Sequence, residues 1–129
     1  MIEQFVGMLF LARDVGHREH LRTKSFAQHM ALGDFYEGIE DLMDSFIEAY
    51  QGRHGIIEEI PILTEEEKYA TPLLCIANKL GYIEKNRYKA VDKDDTALQN
   101  IIDEIVGLFL STIYKLENLK WLILVAFQI

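Results

Sequence analysis

The chain has few of the residues that cross-link or interrupt regular structure. Its 129 residues include one cysteine, two prolines and eight glycines. The lone cysteine, Cys75, cannot form an intramolecular disulfide, which excludes a disulfide-stapled scaffold and favours a reducing, cytoplasmic setting. Cys75 lies in an apolar run, so we interpret it as a small buried hydrophobic residue. The scarcity of proline and glycine favours long regular elements.

Positive charge is also scarce. There are 13 Lys and Arg residues against 21 Asp and Glu residues, which gives a formal net charge of -8. This balance argues against a nucleic-acid partner, because such proteins gain affinity by neutralising phosphates with Lys and Arg. It suits a protein that handles cations. The acidity is local, since residues 25–67 contain eleven acids and a single base, Arg53.

We expect no secretory leader, and the sequence contains no apolar run long enough to span a membrane. Residues 1–4 carry no basic region and no small-residue cleavage site. The longest apolar run, residues 121–127, is far shorter than the roughly 20 residues that cross a bilayer, so no membrane partner is predicted. The apolar segment 121–129 could prolong the last helix or pack as an extended segment. We interpret it as a subunit contact.

Helical periodicity extends over almost the whole chain. It predicts four helices, over about residues 2–22, 25–51, 64–80 and 95–119 or beyond. The second helix presents one apolar stripe, made of Leu32, Phe35, Ile39, Leu42, Phe46 and Ala49. Four helices with a long connector between the second and the third predict an all-α fold. Residues 1–129 then form a single up-down four-helix bundle domain.

Capping signals set the predicted helix boundaries. Ser25–Gln28 is a capping box that begins the second helix, and Gly52 is a candidate to end it. A second capping box, Thr64–Glu67, opens the third helix. Pro72 either kinks that helix or restarts it with Thr71 as the new cap. Gly81 then closes it, residues 82–93 form a ragged end and a loop, and Asp94–Asp95 opens the last helix.

Histidines and carboxylates gather on the first two helices. His17 and His20 share a face of helix one, and His29 lies one turn into helix two. The carboxylates of helix two lie beside its apolar stripe, at Glu37, Glu40, Asp44 and Glu48. Imidazole and carboxylate ligands together suit Fe, Zn or Mn. The alternative for each residue is a solvated surface acid or a hydrogen-bonded structural histidine.

These residues also carry a resemblance to a known family. The stretch His17–His29, followed by Leu32–Tyr36 and Asp44–Glu48, resembles the ferroxidase segment of the Dps proteins, small ferritin-like shell proteins that oxidise and store iron. In that family a first-helix His is followed twelve residues later by a second-helix His. An Asp comes fifteen residues further on, and a Glu four after that. The residues that match these intervals are His17, His29, Asp44 and Glu48.

The resemblance implies a ferritin-like four-helix bundle with a long connector between its second and third helices. It also implies an iron site between two subunits, in which the histidines of one chain face Asp44 and Glu48 of its two-fold mate. No catalytic residue beyond the metal ligands is implied. The partners would be a metal ion and a second copy of the chain, in a homodimer or a larger homo-oligomer.

The sequence departs from the Dps pattern at several positions. Gly33, with Asp34 beside it, stands where Dps proteins usually carry another Asp, and the Lys-rich tail that some of them use on DNA is absent. His20 could replace His17 as the first ligand, because the two are one turn apart. Asp34 and Glu37 are additional candidate ligands. Residues 20–55 also resemble small uncharacterised ferritin-like proteins, many of them phage-encoded.

Three functions follow as hypotheses. The first is a metal-binding protein that holds Fe, or alternatively Zn, and acts as a ferroxidase. The second is a non-catalytic structural or interaction protein on a ferritin-like scaffold, with a degenerate site and no metal. The third, DNA protection in the manner of Dps proteins, is opposed by the acidic charge.

Overall fold

Four helices account for the regular structure of residues 1–119, which are the residues that the computed structural model describes. They are α1 (Ile2–Arg22), α2 (Phe26–His54), α3 (Pro72–Ala90) and α4 (Thr96–Asn118). The described part of the chain contains no strand. The fold is therefore all-α with four helices. The segment 121–129, interpreted from sequence as a subunit contact, lies outside the described residues.

Side-chain caps begin three of the four helices. The hydroxyl of Ser25 accepts from the Gln28 backbone N–H at 3.2 Å, as the sequence predicts. The other bond of a capping box, from the Ser25 N–H to the Gln28 side chain, is replaced by an indirect link through Thr23. The Gln28 side chain accepts from the Thr23 hydroxyl at 2.6 Å, and that hydroxyl accepts from the Ser25 N–H. Thr71 and Asp95 cap α3 and α4 in the same way as Ser25 caps α2.

The second helix continues past Gly52, the glycine predicted to end it. It ends at His54, and the positive φ of 91° falls at Gly55. Glycine adopts this conformation without the steric cost that a Cβ would bring. The stripe predicted on α2 is buried at Leu32, Phe35, Ile39 and Phe46, whereas Ala49 is exposed.

The third helix is displaced from its predicted position. Residues 64–71 are not helical, so the predicted start at Thr64 is wrong, and the alternative start at Pro72 behind a Thr71 cap is confirmed. Proline has no N–H to lose in a first turn, which makes it a good first residue behind the Thr71 cap. The predicted end at Gly81 is also wrong. Helix α3 continues to Ala90 because it still buries residues there, including Ile83 and Asn86.

Contacts at the two ends of the bundle define the helix directions. Phe5 packs on Phe46 with ring centroids 5.8 Å apart, so α1 runs antiparallel to α2. Arg53 pairs with Asp95 at 2.7 Å, so the end of α2 lies beside the start of α4. Helices α1 and α4 each pack against both α2 and α3. The pairs α1–α4 and α2–α3 are therefore diagonal.

The connector of residues 55–71 crosses the length of the bundle. Near the start of α1, a Cβ at Gly7 would lie 3.0 Å from Pro61. Further along α1, Leu63 and Tyr69 pack on the cluster of Leu11, Val15 and Cys75. The connector therefore starts at the end where α2 finishes and reaches the opposite end before α3 begins. This makes α3 parallel to α2, so the strict up-down order predicted from the sequence is wrong between these two helices.

A buried ion pair fastens the connector to α3. Lys79 is 2% exposed, and its ammonium group donates to the Glu65 carboxylate and to the Asn78 side chain. It also lies 5.2 Å from the centre of the Tyr69 ring. The Thr64–Glu67 segment therefore does not begin a helix, and its Glu65 carboxylate instead pairs with Lys79 of α3.

Helix α4 is long and apolar enough to cross a membrane by length and composition alone. Core helices of soluble bundles meet the same criterion. In this fold α4 buries the face that includes Leu98, Ile102, Ile105 and Phe109 against α2 and α3.

Candidate functional site

Three histidines meet where α1 ends and α2 begins. His20 and His29 stack with ring centroids 3.7 Å apart and planes 20° from parallel. His17 lies 6.2 Å from His20 by the same measure. The short turn of residues 23–25 reverses the chain and brings the two helix ends together. The structure therefore pairs His29 with His20 more closely than with His17.

Reciprocal hydrogen bonds hold the stacked pair. Nδ1 of His20 donates to the backbone carbonyl of His29 at 2.6 Å, and Nδ1 of His29 donates to the carbonyl of His20 at 2.8 Å. A carbonyl oxygen can only accept, so each Nδ1 carries its proton. In the neutral rings, Nε2 then keeps its lone pair. The His20 carbonyl belongs to the last turn of α1, where carbonyl groups have no partner within the helix.

Tyr36 supports the histidines from the next turns of α2. Its ring stacks on His17 at 4.1 Å and meets His20 edge-on at 5.2 Å. His17 itself is exposed. The sequence predicts His17 as the first ligand, whereas the structure places it on Tyr36 at the outer edge of the cluster.

Gly33 leaves space for the His20 ring. A Cβ at this position would lie 3.1 Å from Cε1 and 3.2 Å from Nδ1 of His20. Contacts this short would force the ring to move. A side chain at this position, where the sequence departs from the Dps pattern, would therefore crowd the His20 ring and require it to shift by a few tenths of an ångström.

The candidate carboxylates lie elsewhere on α2. Asp44 and Glu48 are exposed, and Asp44 is fifteen residues beyond His29, about 22 Å along the helix axis. Glu37 is exposed too, and Asp34 pairs loosely with Lys115 at 3.7 Å. One chain therefore does not bring the predicted ligands together. Within residues 1–119, no group of three or more His, Cys, Asp or Glu side chains could hold a metal ion.

The remaining candidate side chains lie outside the histidine cluster. His54 is exposed at the end of α2 and packs on Tyr50 with ring centroids 4.5 Å apart. Cys75 is buried, and this burial raises the pKa of its thiol to about 11. A thiol that keeps its proton is a poor nucleophile and a poor metal ligand.

The Lys79–Glu65 pair is a buried polar feature that was not predicted from the sequence. A signal was present, because Lys79 falls at helical spacing from the buried residues Cys75, Ile76 and Ile83. A lysine in an apolar stripe indicates a buried charge with a partner. The identity of that partner, fourteen residues earlier in the connector, depends on the fold.

Comparison with known proteins gives a family and a phage relative. No solved structure matches the chain. The chain is 29% identical over 115 residues to the "Uncharacterized 14.6 kDa protein in mobD-ri intergenic region" of Enterobacteria phage T4. This match covers 89% of the chain and 87% of that relative. It agrees with the expected resemblance to uncharacterised phage-encoded proteins. Residues 20–116 match a protein family described as a family of unknown function, DUF5856, and the chain belongs to that family.

Proposed function

We propose that this protein is a ferritin-like metal-binding protein that holds Fe(II) between two copies of the chain. The reciprocal hydrogen bonds of His20 and His29 carry the proposal. Metal-binding histidines commonly donate one ring N–H to a carbonyl group, which orients the ring and frees the other nitrogen as ligand. Both rings meet this condition, and they lie side by side.

The helix arrangement supports the ferritin-like part of the proposal. The bundle has one long crossover, residues 55–71, and its second and third helices are parallel and diagonal. A bundle with a single long crossover is the connectivity of ferritin-like folds, which build metal sites from inward or facing helix side chains.

A two-fold axis supplies the carboxylates that one chain lacks. Suppose that α2 packs antiparallel to α2 of a second copy, and that the two-fold axis passes between Glu37 and Gly38. His29 then lies level with residue 46 of the partner subunit. The two candidate carboxylates of α2, Asp44 and Glu48, lie two residues to either side of that level. Both are exposed and so are available to a partner.

The donor set suits iron or zinc. Two neutral imidazoles and two carboxylates are a common environment for both metals. The pairing of His20 with His29 favours His20 over His17 as the first ligand, with Asp34 and Glu37 as additional candidates. Bound Fe(II) would be oxidised by transfer of one electron per iron to dioxygen or peroxide.

Subunit complementation tests the site and its location together. His29→Ala and Glu48→Ala chains each form dimers in which both sites lack a ligand. A heterodimer of the two contains one intact site, because one chain supplies the histidine and the other supplies the carboxylate. An equal mixture, unfolded and refolded together, should recover about a quarter of the wild-type metal sites. Fe(II) or Zn(II) uptake by calorimetry and Fe(II) oxidation by absorbance are the readouts.

Asp41→Ala is the matched control, since Asp41 is another exposed carboxylate of α2 outside the candidate set. It should bind metal as the wild type does. Equal binding by all variants would contradict the histidine–carboxylate site. Loss in both single variants with no recovery in the mixture would contradict a site shared between copies.

A structural role is the second candidate, and the same two hydrogen bonds favour it. They join the end of α1 to the start of α2 with no metal. The protein would then be a metal-free scaffold or interaction module. Elemental analysis of protein purified without chelator distinguishes the metal-binding protein from the metal-free scaffold. A chain that contains no Fe or Zn, and takes up neither, supports the scaffold.

A further inference from the structure

The second half of the connector, residues 64–70, is bound only weakly to the bundle. We refer to these seven residues as the flap. Most of them are exposed, namely Thr64, Glu66, Glu67, Lys68 and Ala70. Among residues 1–119, the backbone of residues 58–70 takes part in no backbone–backbone hydrogen bond. Water satisfies exposed backbone groups as well as the protein does, so opening the flap breaks no such bond.

Two partly buried side chains attach the flap to the helices. Tyr69 packs on the small apolar cluster that contains Cys75. The Glu65 carboxylate accepts from the buried ammonium group of Lys79. The net contribution of such an ion pair is small, because removing both charges from water offsets much of their attraction. Segments with few buried contacts open at a lower free energy than the whole fold.

A cavity of about 720 Å³ lies between the flap, the end of α1 and the start of α3. Val15 and Cys75 line it on the side of the helices, and Glu65 and Tyr69 line it on the side of the flap. Cys75 is only 4% exposed while the flap is closed. Movement of the flap would therefore uncover the thiol.

The helices on either side of the cavity do not need the flap. Helix α3 is capped by Thr71, outside the flap, whose hydroxyl accepts from the Leu74 N–H at 3.3 Å. Helix α1 also packs on α2, and α3 also packs on α4. The contacts of the flap can therefore break while the bundle keeps its own packing.

We propose that the flap opens and closes over this cavity while the four helices stay folded, and that the Glu65–Lys79 ion pair is its latch. Opening uncovers Cys75 and gives the Lys79 ammonium group access to water. The inference does not depend on metal binding, because the histidine cluster lies between α1 and α2.

Cys75 is the only cysteine of the sequence, so its labelling reports on the flap. The experiment measures how fast a disulfide reagent labels the native full chain at about pH 8, in urea concentrations below the unfolding transition. When opening and closing are faster than the reaction, the rate is the open fraction multiplied by the rate of a free thiol. A local opening exposes little surface, so its urea dependence is small.

Three variants separate opening of the flap from global unfolding. Glu65→Gln removes the charge of the latch. Glu66→Gln is the matched control, since Glu66 is the next acid of the flap and is exposed. Phe46→Leu weakens the core where α2 packs on Phe5, near the opposite end of the bundle. Circular dichroism verifies the fold of each variant, and urea unfolding measures its global stability.

Wild-type labelling should be slow and nearly independent of urea. Glu65→Gln should label about a hundredfold faster, because it leaves the Lys79 charge unpaired in the closed state. Glu66→Gln and Phe46→Leu should label at the wild-type rate, although Phe46→Leu is globally less stable.

Several results would overturn the proposal. One is wild-type labelling that rises with urea as steeply as global unfolding does, and another is Phe46→Leu labelling that rises in proportion to its lost stability. An unchanged rate in Glu65→Gln excludes the latch, and native labelling as fast as in denaturant shows that the flap does not cover Cys75. If Glu65→Gln does not fold, the wild-type urea dependence and Phe46→Leu still decide the outcome.

Discussion

His20 and His29 each donate a hydrogen bond to the other's backbone carbonyl, at 2.6 and 2.8 Å, while their rings stack 3.7 Å apart. One residue lies in the last turn of α1 and the other in the first turns of α2, so the pair closes the corner between two helices. The same bonds leave both Nε2 atoms without a proton in the neutral rings. The same arrangement therefore closes the corner between the helices and fixes the orientation of both rings.

The corner should contribute measurably to stability without metal. His29→Ala removes the donor to the His20 carbonyl and should lower the free energy of unfolding by about 1 kcal/mol, the usual value of such a hydrogen bond. His20→Ala should cost a similar amount. Because the two bonds share one corner, the double variant should cost less than the sum of the single ones. Urea unfolding in the presence of a chelator measures all three, with the exposed His54→Ala as control. Strict additivity would contradict the coupling.

Gly33 should tolerate a side chain less well than Gly52 in the same helix. Gly52→Ala meets nothing within 4 Å and should raise the free energy of unfolding by up to about 1 kcal/mol through helix propensity. Gly33→Ala should fall short of that gain by about 1 kcal/mol, because its methyl group pushes the His20 ring. Thermal unfolding measures the difference, and the His20 ring resonances should shift in the Gly33 variant alone. Equal gains in both variants would show that the ring moves freely.

The two members of the Lys79–Glu65 pair should respond differently to substitution. Glu65→Gln leaves the Lys79 ammonium buried without its counter-charge, and should lower the free energy of unfolding by about 3 kcal/mol. Lys79→Met should cost less, because it removes the buried charge and leaves Glu65, which is 23% exposed, in contact with water. Chemical denaturation of both variants measures which substitution lowers the free energy of unfolding more. A larger loss in Lys79→Met would contradict this account.

Cys75 should be inert in the folded chain and should make stability fall at high pH. Burial raises the pKa of its thiol to about 11 from 9.0, so the folded state holds this proton more firmly than the unfolded state. The stability that the protonated Cys75 thiol contributes to the fold is fully present below pH 9.0 and is lost as the pH rises through about 11. Cys75→Ala should flatten this part of the stability profile.

Thiol labelling provides an independent measurement of the same group. At about pH 8, a disulfide reagent should react slowly with the native chain and rapidly in denaturant, because the thiolate is the reactive form. Fast labelling of the native protein would contradict the buried, protonated thiol.

The sequence by itself determined the features that depend on neighbouring residues. Helical periodicity predicted an all-α chain, and short-range capping signals predicted the starts at Ser25 and Asp95. The apolar stripe of α2 predicted Leu32 and Phe35 in the core. A cap joins residues three apart and a stripe repeats at each turn, so both can be interpreted without the rest of the fold.

The tertiary structure alone decided the features that join distant residues. The sequence offers two starts for α3, at Thr64 and at Pro72, and the structure pairs Glu65 with Lys79 and begins the helix at Pro72. His17 and His20 are equivalent by helical spacing, and only the packing of α1 on α2 places His20 against His29. Gly33 departs from a family pattern in the sequence, and the structure shows a ring in the space that a side chain would fill. These outcomes depend on long-range contacts, which local propensity does not specify.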